Sequence, residues 1–169
     1  MEETIFYFDK EYAIAIHDSI IEESGGLEGI KDSGRLHSIL EHLQNDCYYP
    51  TFEIKLTRLI FSVTKFHIFN DGNKRSAIGL GAYFLKINDY DYCTDTFIDE
   101  MENIVLWTAT GLIDDNFLLD IVKSIINYDC LSNEVKLQLI SIESNTIGGF
   151  YNQLSHLGTK KRHVNFMLY

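Results

Sequence analysis

The sequence has little proline and little cysteine. Its 169 residues include one proline, Pro50, so almost nothing in the backbone interrupts long helices. The three cysteines, Cys47, Cys93 and Cys130, are far apart and odd in number. This pattern predicts reduced thiols in a cytoplasmic protein rather than a disulfide framework or a zinc site.

Positive charge is also scarce. The formal net charge is −11, which argues against a general nucleic-acid binder and against docking on an anionic membrane, since both need surplus Lys and Arg. No segment approaches the roughly 20 apolar residues of a membrane span. The first residues, "MEETIFYFDKEY", are acidic and lack a long apolar run, so we expect no secretory signal. A local basic site for a phosphate ligand is still compatible with a net charge of −11.

The chain does contain enough apolar material for a packed core. Hydrophobic residues make up 46% of it and aromatic residues 13%. Apolar residues recur at helical spacing, often after an Asp, Ser or Thr suited to capping a helix. The sequence therefore predicts an all-α fold with helices over residues 9–23, 33–43, 53–66, 73–87, 94–110 and 114–126.

The last part of the chain has a different character. We predict a domain over residues 1–126 and a helical appendage of unassigned role over residues 127–169. Ser132 is a candidate cap for a further helix, "NEVKLQLISI", and Gly148 and Gly149 are expected to interrupt it.

The stretch "FHIFNDGNKRSAIGLGAYFL", residues 66–85, concentrates polar residues between two hydrophobic segments. Its Asp-Gly pair predicts a bend, because glycine tolerates positive φ. The helix that follows begins with backbone N–H groups that lack intrahelical partners, and with its dipole this end attracts phosphates. Lys74 and Arg75 lie at this end, where cations are unfavourable unless an anion joins them.

Other residues of the stretch suit group-transfer chemistry. Asp71 offers a hard oxygen ligand for Mg²⁺, and His67 titrates near neutrality and can accept a proton from a hydroxyl. Spacing alone leaves a simpler interpretation open. Asp-Gly-Asn is common turn chemistry, and Lys74 and Arg75 could be solvated charges.

The string "HIFNDGNKR" resembles the signature of the Fic/Doc family, H-x-F-x-[D/E]-[G/A]-N-[G/K]-R. The upstream "GGLEGIKDSGR", residues 25–35, is similar to the corresponding loop of Doc (death-on-curing) proteins. The resemblance spans roughly residues 5–123. It implies a compact all-α fold in which the motif joins two central helices, and an enzyme that uses Mg²⁺ and ATP to modify a protein hydroxyl.

The resemblance also implies roles for individual residues. His67 would be the general base, Asp71 would hold Mg²⁺, and Phe69 would be structural. The phosphates would be cradled by Gly72, Asn73, Lys74 and Arg75. A short β-hairpin flap before the motif helix would hold the target by strand addition; the candidate is residues 46–52, with Tyr48 and Tyr49.

Two positions favour phosphate transfer over AMP transfer. Many AMP-transferring relatives have glycine where this chain has Lys74 and a second arginine where it has Ile78. Both departures are similar to Doc proteins, which implies a toxin that phosphorylates a protein of the translation-factor class. The alternatives are a Fic-type adenylyltransferase and an inactive Fic-fold binding module.

The string "SGGLEG", residues 24–29, matches an inhibitory helix motif found in many Fic proteins. We reject this interpretation, because Gly25 and Gly26 disfavour a helix and Ile78 replaces the arginine that the inhibitory Glu would pair with. The resemblance instead implies control by a separate antitoxin, and the alternative is that residues 130–169 act as the regulator or as an oligomerisation element.

Overall fold

The computed structural model describes the backbone of residues 4–156 and the side chains of residues 4–146. Within this range the chain is helical, and the prediction of an all-α fold is confirmed. The helices are α1 (Lys10–Ser24), α2 (Ser33–Leu43), α3 (Phe52–Phe66), α4 (Asn73–Ile87), α5 (Thr94–Thr110), α6 (Asp115–Tyr128) and α7 (Asn133–His156). A short 3₁₀ turn, Asp91–Cys93, precedes α5.

Side-chain caps explain where several helices begin. The carboxylate of Asp9 accepts the backbone N–H of Tyr12 at 2.8 Å, and that of Asp32 accepts the N–H of Arg35 at 2.8 Å. Each cap satisfies one of the N–H groups that a helix start leaves without a partner. Both caps are aspartates ahead of an apolar helix, the pattern from which the sequence predicts a helix start.

Helices α3 and α4 form the centre of the first part of the chain. Helix α3 packs against α2, α4, α5 and α6, and α4 packs against α1 and α5. The fully buried side chains along α3 and α4 include Leu56, Leu59, Ile60, Val63, Leu80 and Leu85. The loop that joins these helices, residues 67–72, is therefore held by the best-packed elements of the fold.

The predicted β-hairpin flap is not formed. Between α2 and α3 the chain makes turns, because the backbone carbonyl of Asn45 accepts the N–H groups of Tyr48 and Tyr49 at 3.1 and 3.0 Å. The Asn45 side chain also accepts the N–H of Cys47 at 3.0 Å. These local bonds use the donors that a strand ladder would need, and Pro50 has no N–H to offer.

The prediction that Gly148 and Gly149 interrupt the last helix is wrong, since α7 runs from Asn133 to His156. A glycine inside a helix costs only about 1 kcal/mol relative to alanine, which weakens a helix without ending it.

The chain divides into two compact units, Met1–Ser132 and Asn133–Tyr169. The predicted boundary at residue 126 and the role of the C-terminal appendage stay predictions. Among the helices of the described residues, none has the length and apolar content needed to cross a membrane.

Candidate active site

The loop between α3 and α4 reverses the chain through two left-handed residues. Helix α3 ends at Phe66 and is followed by His67, whose φ is 47°, and Gly72 precedes α4 with a φ of 67°. The His67 side chain is exposed. The loop thus places an imidazole at one end and a helix N-terminus, the preferred binding position for an anion, at the other.

Asn73 and Phe69 lock the loop. The Asn73 side chain accepts the backbone N–H of Phe69 and donates to its carbonyl, both at 2.9 Å. The Phe69 side chain is 1% exposed, which confirms that it anchors the loop in the core. These two bonds hold the Asn73 amide against the loop backbone, and the backbone N–H of Asn73, in the first turn of α4, is the donor expected to contact a phosphate.

The glycine-rich loop after α1 runs beside the motif loop. Ile30 and Phe69 form an isolated antiparallel bridge, and the backbone N–H of Asn70 donates to the carbonyl of Gly29 at 3.0 Å. The Asn70 side chain donates to the carbonyl of Glu28 at 3.0 Å. The motif loop is therefore held by backbone contacts with the glycine-rich loop as well as by the Asn73 side chain.

Asp71 is oriented by backbone N–H groups. One carboxylate oxygen accepts the N–H of Gly72 at 2.6 Å, and the other accepts the N–H of Leu27 at 3.3 Å. These two hydrogen bonds hold the pKa of Asp71 below its ordinary value. The carboxylate is therefore ionised at neutral pH, as a metal ligand must be.

Arg75 reaches back to the end of α1. Its Nη1 donates to the hydroxyl of Ser24 and to the carbonyl of Gly25, the latter at 2.7 Å. Its Nη2 lies 3.8 Å from an Asp71 carboxylate oxygen. The cation in the first turn of α4 is thus compensated by the negative end of another helix. Lys74, the neighbouring cation, is exposed.

The string "SGGLEG" does not form the helix that an inhibitory motif needs. Helix α1 ends at Ser24, and Gly25 follows with a φ of 78°, as the paired glycines predict. Glu28 lies on an exposed loop beyond this end.

His17 lies beside the motif loop, a position that its place in a predicted helix did not indicate. It is fully buried, its ring stacks on Phe69 at 3.9 Å between centroids, and its Nδ1 lies 2.8 Å from the Ser76 hydroxyl. Its Nε2 is buried and has no hydrogen-bond partner among the described residues. Its place between Ala13 and Ile21, at steps of four residues on the buried face of α1, is the signal that could have revealed it.

Burial lowers the pKa of His17, and Arg75 acts in the same direction, while Asp18 and Asp71 oppose the shift. The folded protein therefore holds a neutral imidazole, whereas the unfolded chain takes up a proton below about pH 6.5. Below this pH the unfolded state binds more protons than the folded state. We therefore expect the free energy of unfolding to fall as the pH is lowered from 7 to 5.5. The loss is about 1 kcal/mol if the folded ring stays neutral.

This pH dependence can be measured by urea denaturation at both pH values. The variant His17→Asn cannot titrate, and its amide can replace the bond to Ser76. We expect it to be less stable than the wild type but to lose less stability between pH 7 and 5.5. Equal losses in the two proteins would show that another group is responsible.

Tyr48 and Tyr49, the predicted target-binding residues, lie on the turns between α2 and α3. Tyr48 is 63% exposed and stacks on His42 at 4.9 Å, while the Tyr49 hydroxyl lies 3.2 Å from His42 Nδ1. The structure thus places them together in an aromatic cluster with α2. Their role in target binding stays a prediction.

A metal at this site would depend on Asp71. Among the described residues, no three His, Cys, Asp or Glu side chains converge as a candidate metal cluster. Asp71 itself fits the requirement, because a carboxylate offers about four acceptor positions and two of them are used by backbone N–H groups.

Comparison with known proteins agrees with this geometry. A family model described as the Fic/DOC family matches residues 7–85, which include α1, α2, α3, the motif loop and most of α4. The chain is also 31% identical over 121 residues to the protein named "Protein kinase doc" of Escherichia phage P1. That match covers 69% of this chain and 93% of the phage protein.

Proposed function

This chain belongs to the Fic/DOC family, and we propose that it is a Doc-like toxin that transfers phosphate from Mg-ATP to a hydroxyl of a target protein. The observation that carries the proposal is a single loop that displays three kinds of group. His67 is exposed at its start, Asp71 is ionised in its middle, and Arg75 extends from the helix that follows it.

The chemistry assigned to each residue follows from its position. His67 accepts the proton of the target hydroxyl, whose oxygen forms a bond to the γ-phosphorus of ATP. The bond between that phosphorus and the bridging oxygen breaks, and ADP leaves with the electron pair. Arg75 and the first N–H groups of α4 stabilise the negative charge on the phosphate oxygens.

Mg²⁺ is the expected metal, and ATP is the expected co-substrate. Asp71 would hold the metal through its remaining acceptor positions, together with phosphate oxygens of the nucleotide. When bound, Mg²⁺ neutralises part of the phosphate charge. The protein's own contribution is a carboxylate that two backbone N–H groups keep ionised and oriented.

Phosphate transfer is favoured over AMP transfer by the residues that surround the phosphate position. The exposed Lys74 adds bulk and positive charge at the N-terminus of α4. The half-buried Ile78 offers no second guanidinium for the phosphates. The match to a protein named as a kinase supports the same choice.

The partners follow from the same proposal. The target is a protein of the translation-factor class, engaged beside the segment that carries Tyr48 and Tyr49, and a separate antitoxin controls the activity in the cytoplasm. With Ile78 in place of a second arginine and α1 ending at Ser24, the string "SGGLEG" does not form an inhibitory helix, which supports control by a separate antitoxin.

Mass spectrometry of modified proteins separates the candidate functions. The purified full chain is incubated with ATP, Mg²⁺ and cell lysate, and the mass added to each modified protein is measured, with EDTA as the control. We expect one phosphate group, abolished by EDTA. A gain of AMP would replace the kinase by an adenylyltransferase, and no modification would favour the binding module.

A further inference from the structure

Arg75 is held at one edge by the end of α1. Both Nη1 hydrogens are used, one on the Ser24 hydroxyl and one on the Gly25 carbonyl. Nη2 lies 3.8 Å from Asp71, which is an ion pair but too long for a hydrogen bond. Among the described residues, Nε has no hydrogen-bond partner. The opposite edge of the guanidinium, Nε and Nη2, is therefore left to bind another anion.

The orientation of the Ser24 hydroxyl is determined by α1 itself. Its single hydrogen donates to the carbonyl of Ile20 at 2.5 Å, one helical turn earlier. Because a hydroxyl has one donor and two acceptor positions, its lone pairs face Arg75. The Gly25 carbonyl is fixed in a similar way, since the Gly25 N–H closes the helix on Ile21 at 2.9 Å.

The same segment also contacts Asp71. The N–H of Leu27 donates to its carboxylate, and a Cβ on Gly26 would lie 2.6 Å from Asp71 Oδ2 and 3.1 Å from Arg75 Nη2. A side chain at Gly26 would therefore displace the carboxylate or the guanidinium. Residues 24–27 fit against both charged groups of the site at once.

We propose that Ser24 is a positioning residue for nucleotide binding: with the Gly25 carbonyl, it turns the free edge of Arg75 toward the phosphates. The inference rests on the proposed function. It assigns to the string "SGGLEG" a role opposite to inhibition. A guanidinium held at one edge loses less side-chain entropy when two parallel hydrogen bonds form to a phosphate at the other edge.

The test is the affinity of the full chain for magnesium and the non-hydrolysable analogue AMP-PNP, measured by titration calorimetry. We expect Ser24→Ala to weaken binding about three- to tenfold, less than the loss of a full charged hydrogen bond because the Gly25 carbonyl remains. Ser24→Thr keeps the hydroxyl and should bind within about twofold of the wild type. Ser38→Ala is the matched control, since Ser38 also donates to a carbonyl one turn earlier, Gly34, at 2.9 Å.

A double-mutant cycle distinguishes positioning from a general structural effect. If Ser24 acts through Arg75, then Ser24→Ala changes affinity in the wild type but not in an Arg75→Ala background. Equal losses in both backgrounds, or wild-type affinity in Ser24→Ala, would overturn the inference and leave the proposed function standing. A wild-type chain that binds no nucleotide would overturn both.

Discussion

His67→Asn should lower phosphate transfer by about 10²- to 10⁴-fold, the usual contribution of a general base, and leave the fold intact. His67 is exposed, and among the described residues it makes no hydrogen bond or ion pair, so its loss removes little stability. Its φ of 47° is in the left-handed region, which asparagine tolerates better than most residues.

The measurement is the rate of phosphate transfer to the modified protein, together with a thermal unfolding curve. His37→Asn is the matched control, because His37 is also an exposed histidine but lies on α2, outside the motif loop. Wild-type transfer by His67→Asn would rule out His67 as the base. If expression of the chain slows growth and His67→Asn slows it equally, the growth effect comes from binding rather than catalysis.

Lys55→Ala should be strongly destabilising, by about 3 kcal/mol, because Lys55 is a lysine with no exposed surface. Its ammonium donates to the carbonyl of Leu43, at the end of α2, at 2.6 Å and lies 2.8 Å from the Asp46 carboxylate. It also lies 5.7 Å from the centre of the Tyr7 ring. Truncation would leave a cavity and a buried carbonyl without its donor.

For a chain of this size, the loss corresponds to a fall in Tm of about 6–12 °C. Lys86→Ala, at an exposed position near the end of α4, should leave the Tm within about 1 °C. Lys55→Met keeps most of the volume and should fall between wild type and Lys55→Ala, which separates packing from the polar contacts. A Tm for Lys55→Ala equal to that of Lys86→Ala would show that the buried ammonium contributes nothing to stability.

Lys55 also connects the segment between α2 and α3, for which target binding is predicted, to the core. Through Leu43 and Asp46 it secures the start of the turns that carry Tyr48 and Tyr49. No property of the sequence around position 55 indicates this, because a lysine on an amphipathic helix is ordinarily a solvated residue. The contact exists only because the end of α2 is folded over this face of α3.

The two structural predictions that failed did so for different physical reasons. The Fic/Doc resemblance implied a hairpin flap over residues 46–52, but side-chain and backbone bonds to Asn45 close the segment into turns. Gly148 and Gly149 were expected to end a helix that continues through them. In the first segment local turn bonds prevailed over the expected strands, and in the second the low helix propensity of glycine was too weak to end the helix.

The sequence by itself determined the helices and the chain reversal between α3 and α4. It also determined which polar and charged side chains that reversal carries. Apolar spacing, capping residues and an Asp-Gly bend are local signals, and they act over a few residues whatever the rest of the chain does. The helix starts at Ser33, Asn73 and Thr94 agree with this reasoning.

Only the tertiary structure decided which distant residues contact the motif and the first turn of α4. His17, Ser24 and Leu27 meet Ser76, Arg75 and Asp71 across a gap of more than forty residues. Such contacts depend on how α1 packs against α4, and no local pattern encodes that packing. The motif carries the proposed catalytic groups, and the residues that contact Asp71 and Arg75 come from the end of α1 and the loop that follows it.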